Sequence, residues 1–224
     1  MGTCIIMKII AIWDIHGRNC RKKIVKQDFD RCIFIWDYFD SFDISIEKQI
    51  DNFNEILKFK RNNKYKVTLL FWNHDFHYTS FTEDRYSWFN PTLKLQISNL
   101  ISNLIEDEIL EIAYEYNNIS YSHAWFSNTW HKWLDTQEDW DMKILEFKRK
   151  DCSWNWNSIL QWPLRIRPEA LITDMLEVGW IKYKQVVGHT RQENIIPWQL
   201  TCIDCLENRQ YLIIEDWVMR VWTF

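Results

Sequence analysis

Three apolar runs, Ile5 to Trp13, Cys32 to Trp36 and Val67 to Trp72, are each followed at once by a polar cluster. Runs of this length, rich in isoleucine, valine and leucine and closed by polar turns, read as buried strands. Between the first two lies a charged segment, 21–30, with a few apolar positions, which reads as a short helix. Between the second and third, Ile46, Ile50, Phe53, Ile56 and Leu57 recur at helical spacing. Strand, helix, strand, helix, strand is the pattern of a largely parallel sheet with helices packed on it. Ligands of such sheets bind beyond the carboxyl ends of the strands. All three polar clusters fall there: Asp14-Ile15-His16-Gly17, Asp37-Tyr38-Phe39-Asp40-Ser41 and Asn73-His74-Asp75.

Further along, 76–91 reads as an aromatic loop closed by Pro91. Leu93 to Tyr116 carries apolar residues at helical spacing and predicts one long amphipathic helix. Ile119 to Ala124 is a short strand ending in Ser122-His123. Residues 126–150 read as helical in parts, with Asp135 as an N-cap and Glu138 three residues on. Pro168-Glu169 opens a helix to about Val178. Lys184 to Val187 is another strand, ending in Gly188-His189-Thr190. Leu200 to Cys205, Gln210 to Glu215 and Val218 to Val221 read as antiparallel strands. With no repeats, low-complexity tracts or linkers, residues 1–224 are expected to form a single α/β domain.

The formal charge is −4 and no basic stripe is visible, so nucleic acid is not the expected partner. No stretch reaches membrane-span length, and the N-terminus lacks the features of a signal peptide. A cytoplasmic location is expected; oligomeric state is not encoded in these patterns. The cysteines form no framework, and Cys202-x-x-Cys205 has no second half, which is weak evidence for zinc or redox chemistry.

The strand-end polar groups are Asp14, His16, Asp37, Asn73, His74, His123 and His189. Asp14 and His16 stand two residues apart, so on extended backbone their side chains share one side. His16, His74, His123 and His189 fall at strand ends; His77 and His131 do not. Imidazoles beside carboxylates suit manganese, iron or zinc better than calcium or magnesium. A carboxylate between two such groups can bridge two ions.

These residues resemble the calcineurin-like metallophosphoesterase superfamily, in the branch of serine/threonine protein phosphatases and bis(5'-nucleosyl)-tetraphosphatases. Asp14, His16 and Gly17 match its Asp-x-His-Gly block. Asp37 and Asp40 match Gly-Asp-x-x-Asp, and Asn73, His74 and Asp75 match Gly-Asn-His-Asp/Glu. Ser122, His123 and Ala124 match Ser-His-Ala-Gly, and Gly188, His189 and Thr190 match Gly-His-Thr. The resemblance implies a four-layer α-β-β-α sandwich with two mixed sheets. It implies two divalent ions, manganese first, with iron or zinc as alternatives. One would be held by Asp14, His16 and Asp37, the other by Asp37, Asn73, His123 and His189. It further implies a phosphoesterase in which a metal-bridging water attacks phosphorus while His74, oriented by Asp40, protonates the leaving group. The substrate would be a small phosphorylated molecule or a phosphoprotein. The alternatives are a serine/threonine phosphoprotein phosphatase and a non-catalytic protein that keeps the fold.

The departures from that pattern are specific. Ser41 stands where the protein phosphatases carry a phosphate-binding arginine; Arg165, Arg167 and Arg191 are the spare cations, of which Arg165 or Arg167 would serve the phosphate beside Ser41. Arg191 also replaces a second histidine found in many other members. Trp13, Trp36, Trp72 and Trp125 occupy family glycine positions. The chain holds 15 tryptophans and 4 glycines, whereas average usage gives about 16 glycines at this length. Glycine turns tightly at no steric cost; tryptophan does not. One codon, UGA, read as glycine in the source cell and written here as tryptophan, would account for all four positions; the alternative is a degenerate homologue whose site has filled in. On the first reading the sequence as written makes a poor enzyme.

Overall fold

A computed structural model of the chain describes residues 7–224 apart from 14, 36, 72, 81, 82, 84, 86, 87, 117, 130–165, 182, 183, 206 and 207. Its strands, in chain order, are β1 (Lys8–Trp13), β2 (Arg31–Ile35), β3 (Val67–Leu70), β4 (Leu110–Glu111), β5 (Ala113–Tyr116), β6 (Ile119–Ser122), β7 (Lys184–Val187), β8 (Leu200–Cys202), β9 (Gln210–Glu215) and β10 (Val218–Thr223). The helices are α1 (Arg21–Ile24), α2 (Ile46–Asn62), α3 (Asn73–Phe76), α4 (Pro91–Glu106) and α5 (Pro168–Val178).

Two mixed sheets form. The first has the order β10-β9-β1-β2-β3-β4 and the second β5-β6-β7-β8. β1, β2, β3 and β4 run parallel, with Ala11 opposite Ile33 and Ile33 opposite Thr68. β9 is antiparallel to β1 and to β10. The pleat of β1 sorts its side chains between two cores. Ile10 and Ile12 join Phe34 and Leu69 against Phe53, Ile56 and Leu57 of α2 and Leu93, Ile97 and Ile101 of α4. Ile9, Ala11 and Trp13 face the other way and meet Tyr121, Val186, Ile203 and Leu212. β1 is thus covered on both faces, which explains its unbroken apolar run. A third cluster seats Ala170 and Leu171 of α5 against Trp125 and Val187.

Two sequence expectations change here. The period read through Tyr116 ends at Glu106: Glu108 takes φ +55° and Ile109 N–H closes back on Leu104 O at 2.8 Å. Ile112 then packs in the core beside β4 and β5 rather than on a helix face. β8, expected to be antiparallel to its tail neighbours, pairs parallel with β7 in the second sheet. Alternating apolar positions fix which residues face the core, not which neighbour a strand takes. The Asp135 cap lies outside the described residues.

The start of α4 is held by Asn90, whose side-chain oxygen accepts from the N–H groups of Thr92 at 2.9 Å and Leu93 at 3.2 Å, with Pro91 at the first helical position. Losing such a cap costs about 1 kcal/mol. Asn90→Ala is therefore expected to lower the melting midpoint by about 2–4 °C. An unchanged midpoint would show that the cap contributes nothing.

Candidate active site

The parallel strands of the first sheet and the paired strands of the second end on the same polar region. After β1 the chain turns sharply. His16 has φ +37° and Gly17 +76°, and a Cβ on Gly17 would meet Cγ of Gln49 at 2.8 Å, so only glycine fits. His16 N–H donates to Asp37 O at 2.9 Å, its Nδ1 lies 2.6 Å from Phe39 O, and its Nε2 lies 3.3 Å from Asp37 Oδ2. The loop after β2 carries Asp40 at φ +62°; the loop after β7 carries His189 at φ +64°. Left-handed backbone at a non-glycine residue costs on the order of 1–3 kcal/mol and gathers at functional sites. Three of the residues singled out in the sequence carry it.

Asp40 is the hub. It is buried, and its Oδ2 lies 2.7 Å from Nδ1 of His74 and 3.0 Å from Nε2 of His77. Its Oδ1 accepts from the Tyr78 hydroxyl, which in turn accepts from the N–H of Asn90 at 3.0 Å. Burial pushes the Asp40 carboxyl up, but the bonds from His74 and His77 outweigh it and hold the group below the usual carboxylate range. Burial holds His77 below its ordinary value, partly offset by Asp40. Trp88 stacks on His74 with centroids 5.6 Å apart. Trp88 also walls a cleft with His16, Arg18, Ser41, Phe42 and Arg191.

On the second sheet, Nε2 of His123 lies 2.6 Å from Nδ1 of His189. Gly188 N–H donates to His123 O at 2.9 Å, and Arg167 Nη1 donates to His189 O at 3.1 Å. The Trp13 ring lies parallel to the His123 imidazole, centroids 5.2 Å apart. Burial, then the neighbouring His189, His74, Arg167 and His16, hold His123 well below its ordinary value and keep it neutral. His77 and His123 are thus neutral in the folded protein but gain protons in the unfolded chain below about pH 6.5. Acid therefore favours unfolding. Their contribution to stability is complete above that pH and is lost as pH falls through it. The melting midpoint should drop between pH 7 and pH 5; a rise over that range would contradict the buried neutral assignment.

Several residues singled out in the sequence lie together in the structure. His74 and Asp40 touch, Ser41 lines the cleft, His16 and Asp37 are in contact, and His123 meets His189. Asp14 and Arg165 lie outside the described residues. Asn73 is buried in α3, its side-chain oxygen without a hydrogen-bond partner among the described residues. His77, Tyr78 and Arg18 were missed. The spacing of His77, three residues after His74, was the signal, because residues three apart share one side of a helical turn.

The expected two-ion centre is corrected. Among the described residues, the His, Cys, Asp and Glu side chains whose ligand atoms gather within 4.8 Å are Asp40, His74 and His77. That set is the proposed acid pair with a residue not foreseen as a ligand. His16 is engaged with Phe39 and Asp37, and His123 and His189 are turned toward each other. Among the described residues, the donors read as metal ligands do not gather as a manganese, iron or zinc pair requires.

No family model matches the sequence and no curated protein matches it. Several solved structures are similar, three of which follow. One is a point mutant of a cold-active protein tyrosine phosphatase, at 15% identity and TM-score 0.64, covering 97% of this chain and 78% of that one. Another is a cold-active protein tyrosine phosphatase at 16% identity and TM-score 0.60, covering 96% and 78%. The third, from a psychrophilic Shewanella species, has 16% identity and TM-score 0.55, covering 97% and 78%. The likeness is one of fold. It corrects the expected family. The solved structures named here, which this chain resembles in fold, are those of a protein tyrosine phosphatase. The metallophosphoesterase assignment and its fold name, with the serine/threonine phosphatase and tetraphosphatase branch, are withdrawn, as is the manganese-dependent activity they implied. Short motifs had placed residues at strand ends, and fold comparison reads the whole path of the chain. Among the described residues, no helix is long and apolar enough to cross a membrane.

Proposed function

We propose that this chain is a phosphatase that hydrolyses the phosphate monoester of a small phosphorylated molecule, an aryl phosphate of the phosphotyrosine kind in particular. The observation that carries this reading is the Asp40-held His74 beside a cleft that offers two arginines. The shared fold with tyrosine phosphatases supports the choice of reaction.

Arg18 and Arg191 line the cleft and carry N–H donors suited to phosphoryl oxygens; beside them the Ser41 hydroxyl donates to Asp43 Oδ1 at 2.8 Å. Phe42, which lines the same cleft, gives it an apolar side for an aromatic leaving group. Asp40 fixes the His74 ring through Nδ1, so Nε2 is the atom that carries the transferable proton. Water attacks phosphorus as the ester P–O bond breaks, and the leaving oxygen takes the proton from His74. The proton released by the water returns the imidazole to its starting state. Cys205 also borders the cleft, but burial, then Asp204, push its thiol up to about 12, and burial pushes Cys202 likewise up to about 12. Both are neutral near pH 7, so neither offers the thiolate that a covalent route through sulfur needs.

Incubating the folded native protein with p-nitrophenyl phosphate, phosphotyrosine and phosphoserine, and measuring inorganic phosphate, tests the proposal. Release from the two aryl esters in preference to phosphoserine is expected. A folded protein that binds these compounds without releasing phosphate would instead be a binding protein.

A further inference from the structure

β9 and β10 are joined by two residues, since Glu215 pairs with Val218 and only Asp216 and Trp217 lie between. Both have positive φ, +48° at Asp216 and +70° at Trp217. A two-residue hairpin connection with positive φ at both positions is the type I′ turn, whose preferred sequences are Asn-Gly and Asp-Gly. The aspartate is in place. The glycine position holds tryptophan. A bulky residue in the left-handed region sets its Cβ against the following carbonyl. Burial does not compensate at this site, because Trp217 is 53% exposed.

Trp88 repeats the pattern, with φ +71° and 54% exposure. Two buried tryptophans stand in the polar region itself. The Trp125 indole nitrogen is buried with no hydrogen-bond partner among the described residues, although buried indole N–H groups normally find one. Trp13 fills the space beside Gly188 so tightly that a Cβ on Gly188 would fall inside its ring. Tryptophan therefore stands at two positions whose backbone suits glycine, and fills the polar region at two more, in a chain with 4 glycines and 15 tryptophans.

We infer that residues 13, 88, 125 and 217 are glycine in the polypeptide the source cell makes, through a UGA codon read there as glycine. The backbone conformations extend this to two positions, 88 and 217, that lie outside any motif. The local chemistry agrees at each. Glycine reaches φ near +70° without a clash, and it removes an unbonded indole N–H from the core at 125. At position 13 it withdraws the ring from the face of His123. The hollow so formed, bordered by His123 and Gly188, adjoins the candidate active site; the significance of that hollow for catalysis rests on the proposed function.

Peptide mass spectrometry of the protein isolated from its source reads the four positions directly. Glycine masses are expected, and tryptophan masses overturn the inference. As a second measurement, Trp217→Gly in recombinant protein should raise the melting midpoint by about 2–4 °C or more, since it relieves backbone strain at an exposed turn. An unchanged or lower midpoint also counts against the inference. The Trp13→Gly variant separates this inference from the enzyme assignment. Glycine masses together with an inactive glycine-containing protein overturn the phosphatase reading and leave the recoding in place.

Discussion

Replacing His74 with asparagine is expected to lower turnover of an aryl phosphate by about 10²–10⁴-fold, the usual contribution of a positioned proton donor. The protein should remain folded and KM should change little. His74 sits at the end of the Asp40 bond, beside residue 88, which lines the cleft. Arg18 and Arg191, which would hold the phosphate, are left untouched. Asparagine keeps a donor for the Asp40 carboxylate but has no group that releases a proton near neutral pH. Turnover within a few-fold of the parent would remove His74 from the reaction.

Asp40→Asn is expected to damage stability as well as rate. The carboxylate accepts from His74, His77 and Tyr78 inside the protein, and the substitution removes the charge that all three face. Breaking a buried, hydrogen-bonded charge cluster costs roughly 3–5 kcal/mol, which in a chain of this length corresponds to a fall in melting midpoint of roughly 6–20 °C. The same linkage gives an acid limit. The Asp40 carboxyl is held below its ordinary value in the fold, so its contribution is present above the usual carboxylate range and is lost as pH falls below it. Asp40→Asn should therefore flatten the acid side of the stability profile. A midpoint and an acid profile equal to those of the parent would show that the hub is not under electrostatic tension.

The parts of this molecule visible in the sequence are those set by burial. The runs that became β1, β2 and β3 are apolar because both faces of the sheet are covered, and their exits mark the polar region without any structure in hand. The contact between Asp40 and His74 spans 34 residues, yet both lie at strand ends, where a parallel sheet brings such groups together. Position alone did not give orientation. His123 and His189 share an edge, but their rings meet each other, and the Trp13 indole occupies the adjacent space. A sequence pattern places donors near one another; convergence of their lone pairs on a common point depends on ring rotation and on neighbours such as Trp13. The end of α4 failed for a comparable reason. Ile109 and Ile112 continue the helical spacing, and the turn at Glu108 carries no glycine or proline to announce it.

Leaving-group dependence tests the central claim, a phosphatase in which an Asp40-held His74 delivers the proton. Turnover of phenyl phosphate and of p-nitrophenyl phosphate would be compared in the native protein and in His74→Asn. The nitrophenolate departs without a proton, whereas the phenolate needs one. The loss on substitution should therefore be much larger for phenyl phosphate, and adding imidazole should restore part of it. An equal loss for both esters would contradict the account.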